Sequence, residues 1–271
     1  MRWGLRVDRE DPCSCCRCIE DERSSQAKGN RVLTSTPPES QKTVILVHGA
    51  FHGAWCWEYV AEGLARRGVA VLSVDLPGRG ENSKPLGGLD EDAQEVREAI
   101  ESCPGSVILC GHSYGGSVIT EATDAAGKVE HLVYLAAGVP DVGESLLELF
   151  PEVHETEFAE AIRPCGPDRV DMNPESAARI FYEDCEEETA TWAVSQMGEQ
   201  ILHTLTSPVS RAPWRTLDST YVICTQDRVL PLVAQQRLAK RCHRSVVWDS
   251  SHSPMLSQPE RVVSLLADLV A

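Results

Sequence analysis

Five residues, Gly111-His112-Ser113-Tyr114-Gly115, make a G-x-S-x-G pattern between an apolar run at 106–110 and a helical pattern beginning at 116. A chain that turns so abruptly from strand to helix strains its central residue. The flanking glycines lack the Cβ atoms that would collide in the turn. Ser113 is thereby lifted to a helix N-terminus, where free N–H groups and the helix dipole favour developing negative charge. Its hydroxyl is a weak nucleophile alone and needs a base within hydrogen-bond reach, itself oriented by a third group. His252, in the short loop after the run at 245–248, is the expected base. Asp227, just past Tyr221-Val222-Ile223-Cys224, is the expected orienting carboxylate. Its competing role is to cap the helix that begins near Pro231. Asp249 is a rival acid, but it lies too close to His252 in sequence to come from the preceding strand's loop. Acyl transfer also needs donors for the oxyanion. One is the amide of Tyr114, directly after the nucleophile. The other is the amide of Ala50, in the loop His48-Gly49-Ala50-Phe51-His52-Gly53, where Gly49 allows close backbone approach. Phe51 and His52 are placed to rim the pocket. His48 is expected to brace its loop by hydrogen bonds, and His112 to point away from Ser113 as a structural residue. His131, His154 and His243 stand in no matching context.

The elements that must hold these residues alternate. Apolar, β-branched runs at 43–47, 69–74, 106–110, 129–136, 221–224 and 245–248 read as strands buried on both faces. Helical spacing occupies 55–67, 89–102, 113–126, 231–240 and 259–270, with Gly68 as a C-cap and prolines opening the last two. Such alternation predicts an α/β fold with a mostly parallel sheet and helices on both faces. Every residue assigned chemistry above sits at the C-terminal end of a strand, where such sheets place their sites. The rhythm breaks between 139 and 215 in an acidic, proline-punctuated, mostly helical stretch. The expected organisation is a poorly ordered extension at 1–41, a core at 42–138 and 217–271, and an inserted helical cap at 139–216. Phe150, Phe158, Phe181, Tyr182, Trp192 and Met197 offer the cap an apolar lining, in competition with packing it onto the core. Phe181, Trp192 and the cap's His203 join Phe51 and His52 as the expected pocket residues.

Composition narrows the function classes. A net charge of −16 with scattered basic residues leaves no footprint for nucleic acid or anionic membrane. No apolar run approaches the roughly 20 residues of a membrane span, and the polar N-terminus carries no secretory signal pattern. Four of the eleven cysteines fall within Cys13-Ser14-Cys15-Cys16-Arg17-Cys18. Metal-site knuckles come in pairs across a longer loop, so no metal is expected there. Cys56, Cys103, Cys110 and Cys224 read as small buried hydrophobes. Reduced thiols and no export signal point to the cytoplasm. Nothing fixes the oligomeric state, a homodimer included.

The segments Ile45 to Trp55, Asp75-Leu76-Pro77-Gly78, Gly111 to Gly116, Tyr134 to Asp141, Val222 to Asp227 and Ser251-His252-Ser253-Pro254-Met255 resemble the α/β-hydrolase superfamily. More narrowly, they resemble its branch of plant methylesterases, hydroxynitrile lyases and bacterial esterase relatives. The resemblance spans 43–271, loosely in the cap, and leaves 1–41 unmatched. It implies a Ser113/His252/Asp227 triad, oxyanion donors at Ala50 and Tyr114, and no cofactor. It also implies a carboxylic-ester hydrolase acting on a small-molecule substrate, largely apolar and small to medium in size. Hydrolysis of acyl-homoserine lactones is the alternative, and a ligand receptor on the same scaffold a more distant one. Hydroxynitrile lyases of this branch carry a threonine where this chain has Gly49 and a lysine where it has Ser253, which argues against cyanohydrin cleavage. A serine nucleophile excludes the aspartate-dependent epoxide hydrolases and dehalogenases.

Overall fold

The structure, a computed structural model, describes residues 31–33, 42–124, 126–151 and 157–271. Six parallel strands form its centre: β2 (Thr43–Val47), β3 (Ala70–Val74), β4 (Val107–His112), β5 (Val129–Leu135), β9 (Asp218–Cys224) and β10 (Arg244–Trp248). A short edge strand, β1 (Arg31–Leu33), pairs antiparallel with β3, so the sheet order is β1-β3-β2-β4-β5-β9-β10. Sequence reading placed no strand in the leader. The cysteine cluster at 13–18 and His154 lie outside the described residues.

The apolar runs become strands because both of their faces are covered. Val44, Ile45, Leu46 and Val47 are fully buried. Helices α1 (Glu58–Arg66) and α11 (Pro259–Val270) pack together over one face, so tightly that a Cβ on Gly63 would lie 2.6 Å from Val263. Helices α2 (Leu89–Ser102) and α3 (Gly115–Ala122) cover the strands on the other side, and α9 (Leu232–Ala239) packs on β9. Cys56, Cys103, Cys110 and Cys224 are buried. Because β2, β4, β9 and β10 all run in one direction, their C-terminal ends share one edge of the sheet.

Over that edge lies the inserted segment. It holds helices α4 (Leu146–Leu149), α5 (Glu157–Ala161), α6 (Pro174–Tyr182), α7 (Glu187–Gln196) and α8 (His203–Thr206). It also holds a three-stranded antiparallel sheet of β6 (Ile162–Gly166), β7 (Arg169–Met172) and β8 (Gln200–Ile201), which the expected helical cap did not include. The physical reason is plain in β6. Arg163, Pro164, Cys165 and Gly166 are exposed, so the strand carries no buried alternation to read. A short helix, α10 (Pro254–Ser257), precedes α11.

Candidate active site

Ser113 sits between β4 and α3 with φ +55°, a left-handed conformation rare for a residue with a side chain. The surrounding packing enforces it. The Ser113 N–H donates to the Leu135 carbonyl (3.2 Å), and its own carbonyl accepts from Gly116 (3.1 Å) and Gly138 (3.2 Å). A Cβ on Gly115 would stand 2.6 Å from the Val47 carbonyl and 2.7 Å from that of His48. Only glycine lets the first turn of α3 approach the end of β2 so closely.

The loops after β9 and β10 are zipped together. Thr225 N–H donates to the Trp248 carbonyl and Gln226 N–H to that of Ser250, both at 2.9 Å. That pairing brings Asp227 against His252. His252 Nδ1 lies 2.8 Å from Asp227 Oδ2, and both side chains are fully buried. The other oxygen of Asp227 accepts from the amides of Val229 (2.7 Å) and Leu230 (2.9 Å). Those amides open the turn before α9, so Asp227 both caps that turn and meets the histidine. With Nδ1 facing a carboxylate, the His252 proton sits there and Nε2 keeps its lone pair. His252 Nε2 is buried and without a hydrogen-bond partner among the described residues. Asp249 is directed elsewhere, toward Thr225 Oγ1 (3.2 Å) and Gln226 Nε2 (3.0 Å) at the surface.

Three further histidines surround the site, each held neutral. His48 Nδ1 donates to the Gly49 carbonyl (2.8 Å), while its Nε2 accepts the Leu76 amide (3.1 Å). Burial lowers its pKa to about 3. His52 Nδ1 donates to the Ala50 carbonyl (2.7 Å) and its Nε2 meets the Tyr182 hydroxyl (2.7 Å); burial lowers its pKa to about 4. His112 is directed to the His252 loop, its Nε2 2.9 Å from the His252 carbonyl, and burial again disfavours its charge. His48 and His112 therefore fix peptides that flank the site.

Ser113 and His252 line one cavity with Ala50, Phe51, His52, His112, Phe158, Phe181 and Val229. Its volume is about 10 Å³, barely one water molecule's worth. Phe158 and Phe181 close it from the cap, with their rings 6.0 Å apart and edge-on. Trp192 stands one layer back, edge-on to Trp55 (5.3 Å), which itself stacks on His52 (5.2 Å). His203 is not brought into this group. Its ring is exposed and pairs with Asp168 beside a surface groove. His131, near the start of β5, and His243, just before β10, lie at the other end of the strands, bonded to Thr220 and Ser219. Sequence reading missed Val229 and Asp184. The Asp184 carboxylate, in the cap, accepts from the Ser251 amide (3.0 Å) and the Ser250 and Ser251 hydroxyls, tying the cap to the His252 loop. No local pattern marks either residue, because the sequence separation involved is 67 residues in the Asp184 case. Among the described residues no cluster of metal-ligating side chains is present, and no helix is long and apolar enough to cross a membrane.

Residues 44–265 match the model of the alpha/beta hydrolase family. The alpha/beta hydrolase nvfD of Aspergillus novofumigatus is 31% identical over 239 residues, covering 82% of this chain and 94% of the relative. Methyl jasmonate esterase 1 of Vitis vinifera is 28% identical over 256 residues, covering 85% and 97%. The crystal structure of polyneuridine aldehyde esterase superposes with a TM-score of 0.75 at 24% identity, covering 86% of this chain and all of that one, a likeness of fold.

Proposed function

The chain belongs to the alpha/beta hydrolase family, and on that premise we propose that it is a serine carboxylic-ester hydrolase working through an acyl-enzyme. One observation carries this reading: a fully buried Asp227–His252 pair at 2.8 Å, whose free Nε2 shares a cavity with Ser113 on its strained turn. Ser113 Oγ attacks the ester carbonyl carbon as its proton passes to His252 Nε2. Asp227 keeps Nδ1 protonated and stabilises the imidazolium that forms. The oxyanion is met by the amides of Ala50 and Tyr114, each worth about 3 kcal/mol in the transition state. Collapse of the tetrahedral intermediate expels the alcohol, which takes the proton from Nε2. Water then attacks the acyl-serine, with His252 acting as base and then acid in the same order.

The lining supports neutral, largely apolar esters. Phenylalanines at 51, 158 and 181 and Val229 offer apolar contact, and among the described lining residues there is no lysine or arginine to receive a substrate carboxylate. A cavity of about 10 Å³ holds no ester, so entry requires Phe158 and Phe181 to swing out with the cap elements that carry them. Cyanohydrin cleavage by the threonine-dependent route is disfavoured on space: a Cβ at Gly49 would lie 2.9 Å from Ser113 Cβ and 3.0 Å from His112 Nδ1. A cytoplasmic location belongs to the same proposal.

The test is a hydrolysis panel of short and long p-nitrophenyl esters, methyl and aryl esters, and acyl-homoserine lactones, run on the wild type and Ser113→Ala. Ester turnover that vanishes in a folded Ser113→Ala protein is the expected result. Undiminished turnover in that variant would remove Ser113 from the mechanism, and a preference for lactones would redirect the substrate class.

A further inference from the structure

The strand β8, in the cap, carries a glutamine that reaches the backbone of the oxyanion loop. Gln200 is fully buried, and its Oε1 accepts the Phe51 amide (3.4 Å) and Arg79 Nη2 (2.6 Å). Its Nε2 donates to Thr204 Oγ1 (2.6 Å). Two residues earlier the Gly198 amide donates to the Phe51 carbonyl (2.9 Å). Both backbone polar groups of Phe51 are thus bonded to one short stretch of the cap. Phe51 holds φ +66°, a conformation that a phenylalanine keeps only when its neighbours impose it.

That grip bears on Ala50 directly. The Phe51 N–H and the Ala50 C=O belong to one planar peptide. Gln200 holds the first and His52 Nδ1 the second (2.7 Å). A peptide tied at both ends restrains the Cα–C torsion of Ala50 and so how it joins the preceding Gly49–Ala50 peptide, whose carbonyl accepts from His48 Nδ1 (2.8 Å) and whose N–H is the proposed oxyanion donor. The same network continues to the other proposed donor. The Thr204 hydroxyl also faces the Tyr114 phenol, which donates to Asp92 Oδ2 (2.8 Å). Arg79, Asp92, Tyr114 and Thr204 are all buried, so this is a polar island in an apolar interior. Such islands hold one geometry well when satisfied and cost much when broken.

We propose that Gln200 is a positioning residue for catalysis: it holds the Ala50–Phe51 peptide, and so the Ala50 amide, in the geometry that receives the oxyanion. This rests on the serine-hydrolase reading above. Gln200 is not among the residues that line the cavity around Ser113, and its direct tie to the oxyanion loop is through the Phe51 amide. The cap thereby contributes to the transition state as well as to substrate shape. A peptide released from its tie loses alignment rather than affinity, so the effect belongs in kcat.

The experiment compares Gln200→Leu with Gln200→Glu in p-nitrophenyl acetate hydrolysis. Gln200→Leu removes the acceptor at similar volume, and kcat is expected to fall about 10- to 100-fold with KM nearly unchanged. Gln200→Glu restores an oxygen that accepts from both Phe51 and Arg79, and should recover most of that loss. Because the leucine takes the acceptor from Arg79 Nη2 and, among the described residues, leaves only the Pro77 carbonyl on Nη1 (2.9 Å), the double variant Arg79→Leu/Gln200→Leu removes the charge and should show the same kcat loss in a folded protein. A trifluoromethyl ketone, whose hemiketal oxygen occupies the oxyanion site, should lose affinity in parallel with kcat. Wild-type kcat in a folded leucine or double variant would overturn the assignment, as would a glutamate variant no better than the leucine one. A wild type with no Ser113-dependent hydrolysis would instead sink the hydrolase reading, and this inference with it.

Discussion

Replacing Asp227 with asparagine tests the geometry at its centre, since it exchanges one atom and leaves the shape intact. The outcome follows from what each carboxylate oxygen already does. Oδ1 accepts two backbone amides, Val229 at 2.7 Å and Leu230 at 2.9 Å, so an NH₂ group cannot sit there. The amide nitrogen must take the place of Oδ2, facing His252 Nδ1 at 2.8 Å. A donor now opposes a donor, and the imidazole can answer only by moving its proton to Nε2. In that tautomer Nε2 has no lone pair for the Ser113 proton. The contact with Gln235 Nε2 (3.2 Å) is also lost, but that group already donates to the carbonyls of Cys224 (3.1 Å) and Leu230 (2.8 Å). Wrong-tautomer histidine in a triad costs about 10⁴-fold in kcat, which is about 5 kcal/mol of transition-state stabilisation. Initial rates with p-nitrophenyl acetate near neutral pH measure it, and thermal unfolding should show a folded protein. A folded Asp227→Asn enzyme within about tenfold of wild type would refute the reasoning, because another group would then have to orient His252.

Three other outcomes follow from the packing and charge of the site. Asp92 is fully buried, and burial raises its pKa to about 7. The folded state therefore keeps a proton that the unfolded chain has released, so this group's contribution is present in acid and lost as pH rises to about 7, on the order of 4 kcal/mol. An Asp92→Asn variant carries a carboxamide there that cannot ionise, so urea unfolding should show the variant gaining on wild type between pH about 4 and about 7; a constant difference across that range would count against it. Gly115→Ala forces a methyl to within 2.6 Å of the Val47 carbonyl, so calorimetry should show a loss of about 1–3 kcal/mol or more together with lost hydrolysis. Phe181→Ala removes a ring that seals the cavity and touches Phe51, Phe158 and His52; stability should fall by about 3–5 kcal/mol, while the kcat/KM ratio of long-chain to acetyl esters rises. An unchanged ratio would place the entry route elsewhere.

Much of this molecule was legible because its chemistry is local to strand ends. The runs at 43–47, 106–110, 221–224 and 245–248 are strands in the folded chain, and a parallel sheet must carry their C-terminal loops to one edge. The G-x-S-x-G turn announces itself because φ +55° at Ser113 and the approach of Gly115 to Val47 leave few residue types that fit. The choice of Asp227 over Asp249 was open to spacing, since a residue three positions from His252 shares its loop and cannot face the ring across a strand gap.

The cap is different, and the reason is physical. Its strands are short, and β6 is exposed along most of its length, so no period survives there to separate it from loop. Whether His52 or His203 faces the cavity is a question of how the chain returns over the sheet: one ring is buried beside Phe181, the other pairs with Asp168 at the surface. Gln200 meets Phe51 across 149 residues, a separation no motif spans. The sequence alone determined the tight turn at Ser113, the succession of strands and helices and the fold class, since those depend on backbone sterics and periodicity within a few residues. Only the tertiary structure decided which cap side chains close the cavity and what holds the Ala50 peptide, since those depend on long-range packing that local pattern does not encode.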